Sequence, residues 1–280
     1  MGNAIMEKLH IMLVGYGVVG KQTAKVIREN TTDLLLTVDM NPDQGADYIS
    51  VRNYIEYVDS CDFTENVYPD VFLICVWSPE QILDVLKELK PLIDRYENRK
   101  PLISIESTTV PGTYALARSI IGDDVDMVIF QERIYPNDDQ HGVMNQKRVM
   151  GGDWKRGREF YLRYMIYENI VVSDNILAVE LSHILDNSWR YIQIAAAQEL
   201  AMLVGEENYP ELRRLVNSKW NLDMPEVREG IGGHCLPRDI LLMNQTFPNN
   251  EFFNVAERLN DEFKKLKEDK HGEITKSKGY

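Results

Sequence analysis

The sequence predicts an α/β protein in which a doubly wound parallel sheet is followed by a smaller all-helical domain built on one long helix. Three observations predict it. Short runs rich in Val, Ile and Leu alternate with amphipathic stretches up to about residue 174, and most of those runs are apolar on both faces. Beyond them the texture changes to a long Ala- and Leu-rich segment with neither Pro nor Gly until Gly205. Strands without polar alternation suit a parallel sheet whose two faces are covered by helices. Strand–helix–strand order with this spacing makes the sheet doubly wound.

Taken in order, the expected strands are HIMLVGY (10–16), LLLTVDM (34–40), VFLICVW (71–77), PLISIES (101–107), DMVIFQE (126–132) and NIVVSD (169–174). GKQTAKVIREN (20–30) and SPEQILDVLKELKPLIDRYENR (78–99) carry helical patterns between them. The long helix covers 178–205 and is followed by YPELRRLVNSKW (209–220), by EGIGGHCLPRD (229–239) read as a loop, and by a helix through AERLNDEFKKLKEDK (256–270). The expected partition is therefore 1–174, 175–268 and a polar, frayed tail over 269–280.

Composition narrows the function. The 280 residues are 44% apolar and 27% charged, as in an ordinary globular protein. A net charge of −13 argues against a nucleic-acid groove, which needs surplus cations to neutralise phosphates. The stretch LHIMLVGYGVVG is broken by glycines, is too short for a membrane span, and lacks the basic head of a signal peptide. Cys61, Cys75 and Cys235 are odd in number and widely spaced, so no disulfide framework is expected. A soluble, cytoplasmic protein follows, with Cys61 and Cys75 as inert thiols and no metal site, since His234 and Cys235 lack zinc spacing.

Gly15-Tyr16-Gly17-Val18-Val19-Gly20 closes the first strand and opens the first helix. Its glycines serve a tight turn, a close backbone approach to a pyrophosphate, and helix–strand contact, while the helix N-terminus offers N–H donors. The second strand ends in Asp39, whose carboxylate suits ribose hydroxyls and repels the extra phosphate of NADP. A Rossmann-like site for NAD is expected, with Gly15, Gly17, Val18, Val19, Gly20, Asp39, Ser78 and Thr108 as its contacts.

Further candidates lie later in the chain. IESTTVPGT (105–113) carries Ser107, Thr108 and Thr109, and QERIYPND (131–138) carries Glu132; both fall at carboxyl ends of strands, where open α/β sheets bind ligands. His183, Asn187 and Arg190 are four and three apart on the long helix and share a face. Arg190 suits either a substrate anion or pairing with Glu180 or Asp186. Cys235 follows GIGGH and precedes Asp239 by four residues.

These segments, in this order from about residue 9 to 262, resemble the UDP-glucose/GDP-mannose dehydrogenase family. The resemblance implies an NAD-dependent enzyme that oxidises a nucleotide sugar's primary alcohol to a carboxylate in two hydride transfers. It implies that Cys235 captures the aldehyde as a thiohemiacetal and then a thioester. It assigns Glu132 to acid/base work, Thr108 to positioning a water, Asn187 to the oxyanion, and Asp239 to assisting the cysteine. His183 stands where the family has a lysine; with an ordinary pKa of about 6.5 it suits accepting the alcohol's proton. The chain is expected to be a shortened form without the family's C-terminal UDP-binding domain, and a homodimer through its long helix. A two-electron alcohol or hydroxyacid dehydrogenase and a non-catalytic NAD-binding paralogue are the alternatives.

Overall fold

A computed structural model describes residues 7–60, 68–96, 100–133 and 142–277, with side chains to 269. Cys61 and residues 134–138 of the QERIYPND segment lie outside the described residues. The chain divides into two compact units, Met1–His183 and Ile184–Tyr280. That division falls inside the long helix, later than the expected boundary after 174.

The first unit is built on one sheet. Its strands are β1 (His10–Val14), β2 (Leu34–Val38), β3 (Val71–Ile74), β4 (Leu102–Ile105), β5 (Asp126–Ile129), β6 (Arg148–Gly152) and β7 (Ile170–Val172), in the order β2-β1-β3-β4-β5-β6-β7. The first five run parallel, β6 is antiparallel to β5, and β7 is parallel to β6. The six expected strands are all present, and β6 is an addition. Helices α1 (Val18–Asn30), α2 (Val51–Ser60), α3 (Pro79–Ile93), α4 (Thr113–Ile121) and α5 (Trp154–Tyr161) cover the sheet. Each face has its own core: Met12, Phe72, Ile74 and Ile103 pack with Ile82, Leu86 and Leu89 of α3, and Ile11, Leu13 and Leu73 pack with Ala24 and Ile27 of α1. Alternate residues of one strand feed opposite cores, which is why these runs show no polar alternation.

The strand order reverses between β1 and β3, so the carboxyl ends of those strands frame the crevice in which such sheets bind ligands.

Helix α6 (Ile176–Val204) runs through the division, and α7 (Tyr209–Val216), α8 (Cys235–Thr246) and α9 (Phe252–Ser277) complete the second unit. Its core is small: Tyr191 and Ala195 of α6 pack with Ile231, Ile240 of α8 and Ala256 of α9. Buried alanines let helix backbones approach closely. Asn260 stitches this core, its Oδ1 accepting from Ile231 N at 2.8 Å and Gln198 Nε2 at 3.2 Å while its Nδ2 donates to Tyr191 Oη at 3.0 Å. Two expectations need correction. Cys235 and Asp239 stand on α8 and not in a loop, and α9 continues to Ser277 through most of the expected frayed tail. No helix among the described residues is long and apolar enough to cross a membrane.

Candidate functional site

The glycine turn occupies the switch point. Gly15 N donates to Val38 O at 2.8 Å and Cys75 N donates to Val14 O at 2.7 Å, so the turn sits between the ends of β2 and β3. Gly15 has φ +98°, and a Cβ there would lie 2.3 Å from the Cys75 carbonyl oxygen. At Gly20 a Cβ would lie 1.9 Å from Gly15 O, so this position must stay bare for α1 to seat on the turn. Gly17 differs, because a Cβ would meet nothing within 4 Å. It caps α1 without a side-chain hydrogen bond, which leaves first-turn N–H groups beside open space. That combination fits a dinucleotide pyrophosphate. Val18 is exposed on the same turn and Val19 packs beneath it.

Asp39 follows β2 and ties the next strand end to this turn. Its Oδ2 accepts from Tyr16 N at 2.7 Å and its Oδ1 from Asn41 N at 2.8 Å. Both oxygens keep lone pairs for ribose hydroxyls. Ser78 caps α3, its Oγ accepting from Gln81 N at 3.3 Å, and so stands at the start of a helix beyond β3.

The 106–113 segment is held from two sides. Ser107 Oγ donates to Ile74 O at 3.0 Å, and Gln131 Nε2 donates to Thr109 Oγ1 at 2.7 Å. Thr108 between them is buried. Helix α4 begins after Gly112, which has no side chain to cap it. Glu180 of α6 supplies the missing acceptor, its two oxygens receiving Gly112 N at 2.9 Å and Tyr114 N at 2.7 Å. Glu180 is thereby committed to α4, and Arg190 donates to Gln193 Oε1 at 3.4 Å. His183, one turn beyond Glu180, is partly buried.

Glu132 is buried beyond β5 in a cluster only partly legible in sequence. Its N–H donates to Glu106 O at 3.0 Å, which puts the two acids on neighbouring strand ends. Arg148 of β6 reaches both, with Nη1 2.5 Å from Glu132 Oε1 and Nη2 3.7 Å from Glu106 Oε2. The three side chains are 1%, 0% and 3% exposed for Arg148, Glu106 and Glu132. Arg148 is fixed by donating from Nε to Gln131 O at 3.2 Å and from Nη2 to Phe130 O, with its guanidinium over the Phe130 ring. Burial pushes the Glu132 carboxyl up to about 8, with Arg148 opposing and Glu106 adding to the rise. Cys75 is buried beside Glu106, and burial pushes its thiol well up, which agrees with an inert role.

The second unit carries a separate ensemble. Gly230 and Gly233 both take positive φ, and Ile231 between them is buried as the loop's anchor. The turn ends at His234, the N-cap of α8, and exposed Cys235 is the first residue of that helix. One turn on, Asp239 is fully buried. Its Oδ2 accepts from Asn187 Nδ2 at 2.6 Å and its Oδ1 from Arg238 Nε at 2.7 Å. Asn187 and Asp239 are thus brought together, with Cys235 one turn away on the same helix.

Glu106, Arg148, Glu180 and Arg238 were not singled out as site residues from the sequence. The sequence carried little signal for Glu180, since the helix start that it caps lies 68 positions earlier in the chain.

Residues 178–262 match the central domain of the UDP-glucose/GDP-mannose dehydrogenase family. The chain is 27% identical over 210 residues to UDP-N-acetyl-D-mannosamine dehydrogenase of Methanococcus vannielii, covering 69% of this chain and 48% of that protein. It is 27% identical over 276 residues to UDP-N-acetyl-D-glucosamine 6-dehydrogenase of Salmonella typhi, covering 84% of this chain and 62% of that protein. The chain therefore spans about half to two thirds of the length of these curated relatives. A UDP-D-ManNAc dehydrogenase structure from Pyrococcus horikoshii shares the fold, with a TM-score of 0.74 at 22% identity over 91% of this chain and 69% of that one.

Proposed function

From a chain that resembles the nucleotide-sugar dehydrogenases along most of its length, we propose an NAD-dependent oxidation of a nucleotide sugar, or a related sugar, at its primary alcohol to give a carboxylate. The observation that carries this reading is Cys235, an exposed thiol on the first residue of a helix inside the family-matched segment 178–262. The buried Cys75 is its counter-example.

Gly15, Gly17, Val18, Val19, Gly20, Asp39, Ser78 and Thr108 hold the cofactor in this reading. When bound, NAD accepts the hydride lost at each oxidation. His183 takes the alcohol's proton in the first oxidation. The Cys235 thiolate then forms a C–S bond to the aldehyde carbon, and the carbonyl oxygen takes up the electron pair. Asn187 has two N–H groups; one donates to Asp239, and the second stabilises that oxygen. Oxidation of the thiohemiacetal leaves a thioester, which water cleaves to the acid and the free thiol. Thr108 positions the water, Glu132 handles its proton, and Asp239 holds Asn187 in place. Covalent capture keeps the aldehyde bound and splits a hard oxidation into easier steps.

A homodimer completes the proposal. Leu185, Trp189, Leu200 and Leu203 are exposed on α6, and at about 100° per residue they fall within roughly 60° of one another. An apolar stripe of that kind suits a second copy of the same helix.

The test is a panel of UDP-, GDP- and unsubstituted sugars with NAD. Two NADH per molecule of acid is the expected yield on the true substrate. One NADH per turnover with an aldehyde or ketone product would replace this reading with a two-electron dehydrogenase. NAD binding without turnover on the whole panel would replace it with a non-catalytic paralogue.

A further inference from the structure

We propose that Glu106, Arg148 and Glu132 form a proton store that holds one proton at neutral pH, and that Glu132 carries it. Two carboxylates and one guanidinium sum to −1 when all are ionised, and their side chains are no more than 3% exposed. An uncompensated charge sealed from water is among the costliest arrangements in a protein, and one bound proton removes it.

Hydrogen bonds decide which acid takes the proton. Glu106 is met by donors from three elements: Tyr161 Oη of α5 at 2.6 Å, Thr23 Oγ1 of α1 at 3.3 Å, and Cys75 Sγ beyond β3 at 3.8 Å. Ser104 Oγ lies 2.6 Å from Tyr161 Oη and donates to it, because the phenol's own hydrogen points to Glu106. Both Glu106 oxygens are thereby occupied as acceptors. Glu132 takes the close approach of Arg148 Nη1 and a backbone hydrogen bond at Arg133, and it shares a side-chain hydrogen bond with Glu106, which requires that one of the two acids carry a proton. The other titratable groups around the cluster do not compete, since burial drives Tyr161, Tyr164 and Cys75 well above their ordinary values and keeps them neutral. Arg148 is locked to the Phe130 and Gln131 carbonyls, so it does not swing away to pair with one acid alone.

The consequence rests on the function proposed above. Glu132 enters the reaction as a neutral acid and becomes a base only after losing its proton to solvent, so a step needing that base accelerates as pH rises through about 8.

The test reads the proton itself, independently of turnover. In the full chain labelled with carboxyl-¹³C glutamate, the Glu132 resonance, assigned by its loss in Glu132→Gln, is expected to titrate near pH 8. That is more than three units above an ordinary glutamate at about 4.3. In Glu106→Gln, Arg148 serves Glu132 alone, and the midpoint should fall by at least one unit. A Glu132 midpoint unchanged in Glu106→Gln overturns the proposal. So does a wild-type spectrum with no glutamate titrating between about pH 7 and 9, a result that needs no variant to fold. If the resonance behaves as expected while no substrate turns over, the proton store stands and the enzymatic reading falls.

Discussion

Among the described residues, each unit buries carboxylates beside candidate functional groups, and the two solutions differ. In the second unit, Asp239 is matched by one guanidinium, Arg238, and by the amide of Asn187, with exposed Cys235 a turn away. In the first unit, two carboxylates face one guanidinium with no solvent to share the excess. Balanced charge makes an anchor, and surplus charge makes a place for a proton. Burial is common to both, so it is the count of charges that separates their chemistry.

Removing the cation should break this contrast most strongly. Arg148→Met strands two buried acids and should cost about 3–5 kcal/mol in urea unfolding, the range for a buried pair that loses one partner. Asp239→Ala should cost less, about 2 kcal/mol, because Arg238 is 20% exposed and recovers water on losing its acid. If the two losses proved equal, the distinction between store and anchor would not hold.

A smaller effect sharpens the same comparison. The Glu132 carboxyl sits at about 8 in the folded chain, above its unfolded value. Between those values the folded state binds more protons than the unfolded one, so this group's contribution is full below the unfolded pKa and is lost as pH rises to about 8. Other acids have their own slopes, so the informative quantity is wild type minus Glu132→Gln. That difference should decline from about pH 4.5 to 8 and then flatten, whereas a flat difference throughout would place no excess proton on Glu132.

The parallel strands were legible in the sequence because burial on both faces writes an unbroken apolar run, as in VFLI of β3. Strand β6 was not, since RVMGG opens with a cation and ends in two glycines. Those glycines have structural causes that no local pattern reveals. A Cβ at Gly151 would lie 2.8 Å from Val179, and Gly152, at φ +93°, would place one 2.4 Å from Met127 O. Helix α8 was hidden in a similar way: Pro237 and the preceding glycines read as loop, although a proline in a helix's first turn forfeits no hydrogen bond. The glycine turn and Asp39 could be read from spacing alone. The roles of Glu132, Thr108, Asn187, Asp239 and Cys235 came through resemblance. Resemblance names residues but not partners, so Arg148, sixteen positions after Glu132 and across an antiparallel pairing, stayed out of view.

The central claim is that Cys235 bonds to the substrate on the way to the acid. Its most direct measurement compares acid formation by wild type and Cys235→Ala on a confirmed substrate, with both chains shown to be folded and to bind NAD equally. The account predicts two NADH per acid from wild type and no acid from Cys235→Ala. Acid made by Cys235→Ala at the wild-type rate would contradict it.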